Sequence, residues 1–230
     1  LVDEQGNALA VERNYRKNYT DTAGAGRLLD WSYRPYDEII NGDNSLTNKD
    51  FMVNVQADYQ VFNFLKASVQ YRFQNAQGQA KNNQNENSYF TRDLINRYTQ
   101  ITGNTVVRPV PLGGIIDEQN THLNNHSIRG QFDIDQQWGE HRISGIIGGE
   151  VRETSNEASS FRVYGFDPLN YTTSNIDLVN RFPIYGNLAG TTNIPAFGGL
   201  SSQLDRNVSY YSTFNYSYGR KYDLSFSARK

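Results

Sequence analysis

Six stretches of this chain alternate apolar and polar residues almost without error, and the connections between them are by turns very short and very long. In residues 51–62, Phe51, Val53, Val55, Ala57, Tyr59 and Val61 fall on one side, with Asn54, Gln56, Asp58 and Gln60 on the other. A period of two sends successive side chains to opposite faces of a β-strand. The same pattern recurs with Val69, Tyr71 and Phe73 in residues 64–74, and with Ile128, Phe132 and Ile134 in 126–138. It continues in 142–152, in 207–218 (Val208, Tyr210, Phe214) and in 222–229 (Leu224, Phe226). The apolar faces carry no Asp, Glu, Lys or Arg, His126 being the nearest exception. The opposite faces carry charges such as Asp58, Arg72, Arg129, Asp133, Asp135, Glu150 and Arg152. So many charges do not suit a packed interior.

Bulk composition narrows the reading. The mean hydropathy of −0.70 is poor for a thick core. Yet 13% of the 230 residues are aromatic, which disordered chains are not. A β-barrel, which needs apolar residues only on its outer face, reconciles the two. A formal net charge of −2 gives no electrostatic case for nucleic acid. The absence of cysteine removes disulfides and thiolate metal sites. No run of apolar residues is long enough for a transmembrane helix, but barrel strands need only about 9–11 tilted, alternating residues.

Strands are expected near 7–15, 50–62, 64–75, 125–138, 141–153, 206–218 and 221–230. Tight turns lie at Asn63, Gly139-Glu140-His141 and Gly219-Arg220-Lys221. Long polar loops are expected at 20–48, 76–122 and 155–205. Compact domains seldom hold such loops, whereas outer-membrane barrels pair short turns at one end with long loops at the other. Phe90, Leu94, Tyr98 and Ile101 fall at near-helical spacing behind Asn87 and Ser88, so a short helix capped by one of these is expected in the second loop. The Asn/Gln-rich stretch 74–87 is expected to be a flexible loop tip. The fold class is all-β, a transmembrane antiparallel barrel segment. The chain, treated as a single partial domain, begins without Met and stops inside a strand pattern, and is read as an interior piece of a longer polypeptide.

The motifs of chemistry are scarce. Gly-x-Ser-x-Gly, His-Glu-x-x-His and phosphate-cradling Gly loops are all absent. His122 and His126, four apart on a strand, lie too far apart to share a metal. Asp133 and Asp135 share a face and are read as hydrated wall charges, with Arg129 as a pairing option. Glu150 and Glu153 point to opposite faces if the strand reaches residue 153, which spoils a glycosidase pair. No catalytic, cofactor or metal site is expected, and the chain is read as a non-enzyme.

Several ordered motifs carry a family likeness. These include Asp30-Trp31-x-Tyr33-Arg34-Pro35, Tyr89-Phe90-Thr91-Arg92-Asp93-Leu94-Ile95-Asn96-Arg97-Tyr98, Pro109-Val110-Pro111-x-Gly113-Gly114, Gly148-Gly149-Glu150-Val151-Arg152 and Tyr164-Gly165-Phe166-Asp167-Pro168. In this order they resemble the SusC/RagA group of TonB-dependent outer-membrane transporters. The resemblance implies a large plugged barrel in the Gram-negative outer membrane and a SusD-like surface lipoprotein as lid. It also implies energy from TonB through a plug this segment lacks, and uptake of oligosaccharides or peptides. On that reading Val53, Val55, Val69, Tyr71, Phe132, Ile134, Phe214 and Phe226 face outer-membrane lipid. Tyr89, Phe90, Arg92, Tyr164, Phe166 and Tyr185 are the candidates for ligand or lid contact, since aromatic faces beside amides and carboxylates suit sugars or peptides. A passive porin or adhesin barrel and a soluble all-β carbohydrate-binding module remain as alternatives.

Overall fold

The computed structural model describes residues 2–187, 189–219 and 221–230. Leu1, Leu188 and Arg220, the last in the third expected tight turn, lie outside the described residues. Strand accounts for 62% of the chain and helix for 12%, which sets the class as all-β. The long strands are β1 (Gly42–Phe62), β2 (Leu65–Gln84), β5 (Gly114–Trp138), β6 (His141–Asp167), β10 (Gly198–Tyr218) and β11 (Tyr222–Arg229). The short ones are β3 (Gln100–Thr102), β4 (Thr105–Val107), β7 (Thr172–Ser174), β8 (Arg181–Pro183) and β9 (Thr191–Asn193). The helices are α1 (Lys17–Thr22), α2 (Glu38–Asn41) and α3 (Tyr89–Tyr98). The main sheet has the order β1-β2-β5-β6-β10-β11, with β7 beside β6. It is mostly antiparallel, and among the described residues it forms no closed barrel. Among the described residues no helix is long and apolar enough to cross a membrane.

The chain divides into two compact units. The first comprises Leu1–Thr47, Gln79–Asn120 and Ser159–Leu200; the second, Asn48–Gly78, Thr121–Ala158 and Ser201–Lys230. Among the described residues the buried apolar side chains all belong to the first: Leu94, Ile95, Tyr98, Val110, Ile115, Tyr164, Ile184 and Ile194 form one cluster, and Trp31, Tyr89 and Ile116 are the others.

The second unit has no buried hydrophobic side chain among the described residues. Its apolar face lies open, with Val55 57%, Val69 52%, Phe132 48% and Phe226 62% exposed. The hairpin of β10 and β11 sets Phe214 opposite Phe226, Tyr216 opposite Leu224 and Tyr218 opposite Tyr222 on this face. Thr213 meets Ser227 and Asn215 meets Ser225 on the other. The apolar face ends in polar aromatic pairs: Tyr71 Oη lies 2.9 Å from His126 Nδ1, and Tyr216 Oη lies 2.7 Å from His141 Nδ1. The opposite face is a hydrogen-bonded lattice. Glu150 accepts from Arg129 at 2.6 Å and from Arg152 at 2.9 Å. Asp135 accepts from Arg142 at 2.7 Å, and Tyr211 Oη donates to Gln131 at 2.8 Å. Arg129 therefore chooses Glu150 over the aspartates suggested by the sequence, and Asp133 takes Lys66 at 3.8 Å. Tyr211 lies over Gly148, where an added Cβ would meet the ring at 2.6 Å and the Gly130 carbonyl at 2.7 Å. Gly148→Val is expected to lift the ring off the sheet and cost about 1–3 kcal/mol, read as a lower urea midpoint for assembled protein.

Three expectations are corrected. Residues 7–15 form no strand, only the isolated bridges Val2↔Ala8, Val11↔Tyr33 and Arg13↔Tyr15. Asn14 is left-handed at φ 61°, and the chain reverses there. The Asn/Gln-rich stretch is not a loose tip, because β2 runs through it to Gln84. The three loops are shorter than expected, since β1 starts at Gly42, β5 at Gly114 and β10 at Gly198, and β6 runs to Asp167. Amide pairs replace apolar contacts in the added lengths: Asn75 donates to Asn124 at 2.7 Å, and Gln79 donates to Glu118 at 2.9 Å.

Candidate functional site

The first unit is organised around α3. Ser88 caps it, its Oγ accepting from the Thr91 N–H at 3.2 Å, and Glu38 Oε1 accepts from the Tyr89 N–H at 2.8 Å. Both acceptors meet otherwise orphaned donors of the first turn. The apolar stripe Leu94, Ile95 and Tyr98 enters the core. The polar side chains of the same helix grip the segment 29–32. Arg92 donates to the carbonyls of Asn87 (3.0 Å), Ser32 (3.2 Å) and Asp30. Asp93 Oδ1 accepts from Trp31 Nε1 at 2.8 Å. Asn96 accepts from the Leu29 N–H at 2.8 Å and donates to its carbonyl at 2.9 Å. The two motifs Asp30-Trp31-x-Tyr33-Arg34 and Arg92-Asp93-x-x-Asn96 are thus two halves of one clamp. Asp30 also holds Arg34 at 2.6 Å. Trp31, buried, packs at tilted and edge-on angles among Tyr15, Tyr19 and Tyr185, with ring centroids 4.9, 5.9 and 6.2 Å away.

The six candidate contact residues divide by this arrangement. Tyr89, Arg92 and Tyr164 are buried. Tyr89 Oη donates to the Arg13 carbonyl at 3.2 Å, and Tyr164 Oη donates to the Pro195 carbonyl. Tyr185 is half-buried and accepts from the Gly24 N–H at 2.7 Å. Phe166 is half-buried against Tyr171, ring centroids 5.4 Å apart. Phe90 is the open one, 40% exposed. It lines a cavity of about 350 Å³ together with Arg13, Tyr33, Glu38, Gln84 and Arg162. The sequence patterns pointed to Phe90 and Tyr89 but gave no signal for Arg13, Glu38 or Arg162, which come from separate segments. Among the described residues no three His, Asp or Glu side chains converge as a metal set.

The cavity's charges are mostly spoken for. Arg162 and Asp117 form a bidentate pair at 2.5 and 2.6 Å, which drives the Arg162 pKa further up. Burial pushes the Tyr89 hydroxyl to about 12. Burial also pushes the Asp93 carboxyl above its ordinary value, outweighing the Trp31 N–H, Arg97 and Arg13, which pull it down. A carboxyl raised by folding binds its proton more tightly in the native state. Its contribution is therefore complete below the unfolded value of about 3.9 and is lost as pH rises through the folded one. Asp93→Asn keeps an acceptor for Trp31 Nε1 and removes this titration. The expected result is a flatter stability profile above about pH 4, with no loss at neutral pH, measured by urea melts on Trp31 fluorescence in a Trp138→Phe background.

No family model matches the chain, and no curated protein matches its sequence. Solved structures do share its fold. "Structure of the RagAB peptide importer in the 'closed-closed' state" aligns with a TM-score of 0.60 at 16% identity, over 86% of this chain and 19% of that one. "Structure of the RagAB peptide transporter" aligns at 0.61 and 15%, over 86% and 19%. The importer in the 'open-open' state aligns at 0.60 and 16%, over 86% and 18%. The chain spans about a fifth of the length of these structures. At such identity the likeness is one of fold, an all-β segment of the kind those importers contain.

Proposed function

We propose that the chain is a wall segment of a SusC/RagA-type TonB-dependent importer in a Gram-negative outer membrane. It moves oligosaccharides or peptides without chemistry of its own. One observation carries this reading: among the described residues the second unit buries no hydrophobic side chain, and its apolar face is exposed or half-exposed throughout. A soluble sandwich would bury that face. On β1 the face runs from Phe51 to Val61, about 33 Å along the strand, or about 25 Å of depth at a tilt near 40°. That matches the apolar band of an outer-membrane barrel. By alternation the same side turns charged just beyond it, at Lys49, Glu153 and Arg206, the last two ion-paired at 2.6 Å. The pairs Tyr71–His126 and His141–Tyr216 suit the two water–lipid interfaces.

On this reading Val53, Val55, Val69, Tyr71, Phe132, Ile134, Phe214 and Phe226 meet lipid, and the sheet closes with further strands of the same barrel. A SusD-like lipoprotein covers the first unit, TonB acts through the plug, and Phe90 and Phe166 are the best placed for ligand or lid contact. The fold likeness to a peptide importer supports import as the role. Fractionation of cells making the full-length protein tests the proposal. It is expected in the outer-membrane fraction, resistant to carbonate and released by detergent. Recovery in the soluble fraction overturns the reading.

A further inference from the structure

The cavity beside Phe90 holds one cation whose partner is missing. The Arg13 guanidinium lies 4.5 Å from the Tyr33 ring centroid and 5.4 Å from that of Tyr89. Among the described residues no carboxylate comes within ion-pair distance of it. The other ions around the cavity are engaged: Arg162 with Asp117, Glu38 with the α3 N-terminus, Asp93 with Trp31. Arg13 is exposed; Tyr89 Oη donates to its backbone carbonyl, and its guanidinium lies against two rings that stand edge to face. A guanidinium so placed offers its fork to a carboxylate.

The neighbouring atoms narrow the ligand further. Gln84 Nε2 donates to Asn82 Oδ1 at 2.8 Å, which leaves Asn82 Nδ2 and Gln84 Oε1 without a side-chain partner among the described residues. Glu38 uses Oε1 for the helix and keeps Oε2. Adjacent free donors and acceptors fit hydroxyl groups, each of which gives and takes a bond. Phe90 supplies an apolar wall, its ring held under Arg162 at 5.4 Å. At about 350 Å³ the space lies at the small end of ligand pockets. Glu38, Asp93 and Asp117 outnumber Arg13 and Arg162 around it, so the space repels polyanions and leaves Arg13, unpaired among the described residues, as the place for a single carboxylate.

We propose that this cavity is a binding site for a hexuronate residue of an acidic oligosaccharide, its carboxylate on Arg13 and its hydroxyls on Asn82, Gln84 and Glu38. The site rests on the importer reading only for the purpose of binding, since it narrows the cargo. The test is calorimetry on detergent-extracted full-length protein, with digalacturonate, its methyl ester and a glutamate dipeptide as probes. Digalacturonate is expected to bind, and the methyl ester about tenfold more weakly. Arg13→Gln is expected to lose a similar factor for the acid and nothing for the ester, with Arg13→Lys between. An unchanged Trp31 emission in the variants excludes collapse. The ester comparison on the unsubstituted protein decides the matter even if a variant misfolds. Absent binding of digalacturonate at millimolar concentration, equal affinity for acid and ester, or a dipeptide that binds as tightly with the same dependence on Arg13, overturns the proposal. A heat-modifiable gel shift on the same sample judges the importer reading separately.

Discussion

Val55→Arg and Phe132→Arg, made singly in the full-length protein, are expected to abolish or sharply reduce the folded, heat-modifiable band, while Gln56→Arg leaves it intact. Gln56 is the sequence neighbour of Val55, so neither position along the strand nor local strand propensity separates those two. What separates them is the side each faces. Val55 and Phe132 lie on the open apolar face with nothing packed over them. Gln56 lies on the side of the polar lattice, bonded to Asp58 at 3.1 Å. A guanidinium at mid-depth on the lipid side costs about 2–4 kcal/mol, a large share of a marginal stability. On the polar side it finds water and, in Asp58, a carboxylate. In a soluble protein all three arginines would be solvated and all three variants would assemble alike; that equality would sink the membrane reading.

The legibility of this fold follows the same boundary. Inside the band one side of each strand is apolar and the other polar, so period-two contrast exposed the central stretches of β1, β2, β5, β6, β10 and β11. Outside the band both sides are polar. Asn75, Gln77 and Gln79 alternate with Gln74, Ala76 and Gly78, and no contrast remains to distinguish a strand from a loop. There the ladder holds through amide pairs such as Asn75–Asn124, which depend on a partner some fifty residues away. The opposite failure occurred at residues 7–15, where Leu9 and Val11 mimicked alternation but have no long strand to join. The helix α3 was readable because its cap and its stripe are local. The clamp on segment 29–32 was not, since Arg92, Asp93 and Asn96 reveal their partners only in three dimensions. Of the candidate contact residues, aromatic type alone did not separate the open Phe90 from the buried Tyr89 and Tyr164. In a polar unit with a small core, aromatics are needed for packing first.

Arg92→Ala is expected to free segment 29–34 without disturbing the second unit. Arg92 is buried and its guanidinium serves the carbonyls of Asp30, Ser32 and Asn87. Truncation leaves three acceptors without a donor and opens a void beside Trp31. The three carbonyls belong to exposed or half-buried residues, so water reaches them once freed, and the expected sum is about 1–3 kcal/mol. The core cluster of Leu94, Ile95 and Tyr98 does not involve Arg92, so α3 stays docked while the clamped segment opens. The readouts are faster hydrogen exchange across residues 29–34, a red-shifted Trp31 emission and new protease cleavage in that segment, with the heat-modifiable shift unchanged. Arg92→Lys recovers one or two of the three bonds and falls between. Asn96→Ala releases only Leu29 and is expected to do less. If Arg92→Ala leaves exchange in 29–34 at the level of the unsubstituted protein, the clamp does not hold that segment, and the likeness between the two motifs needs another explanation.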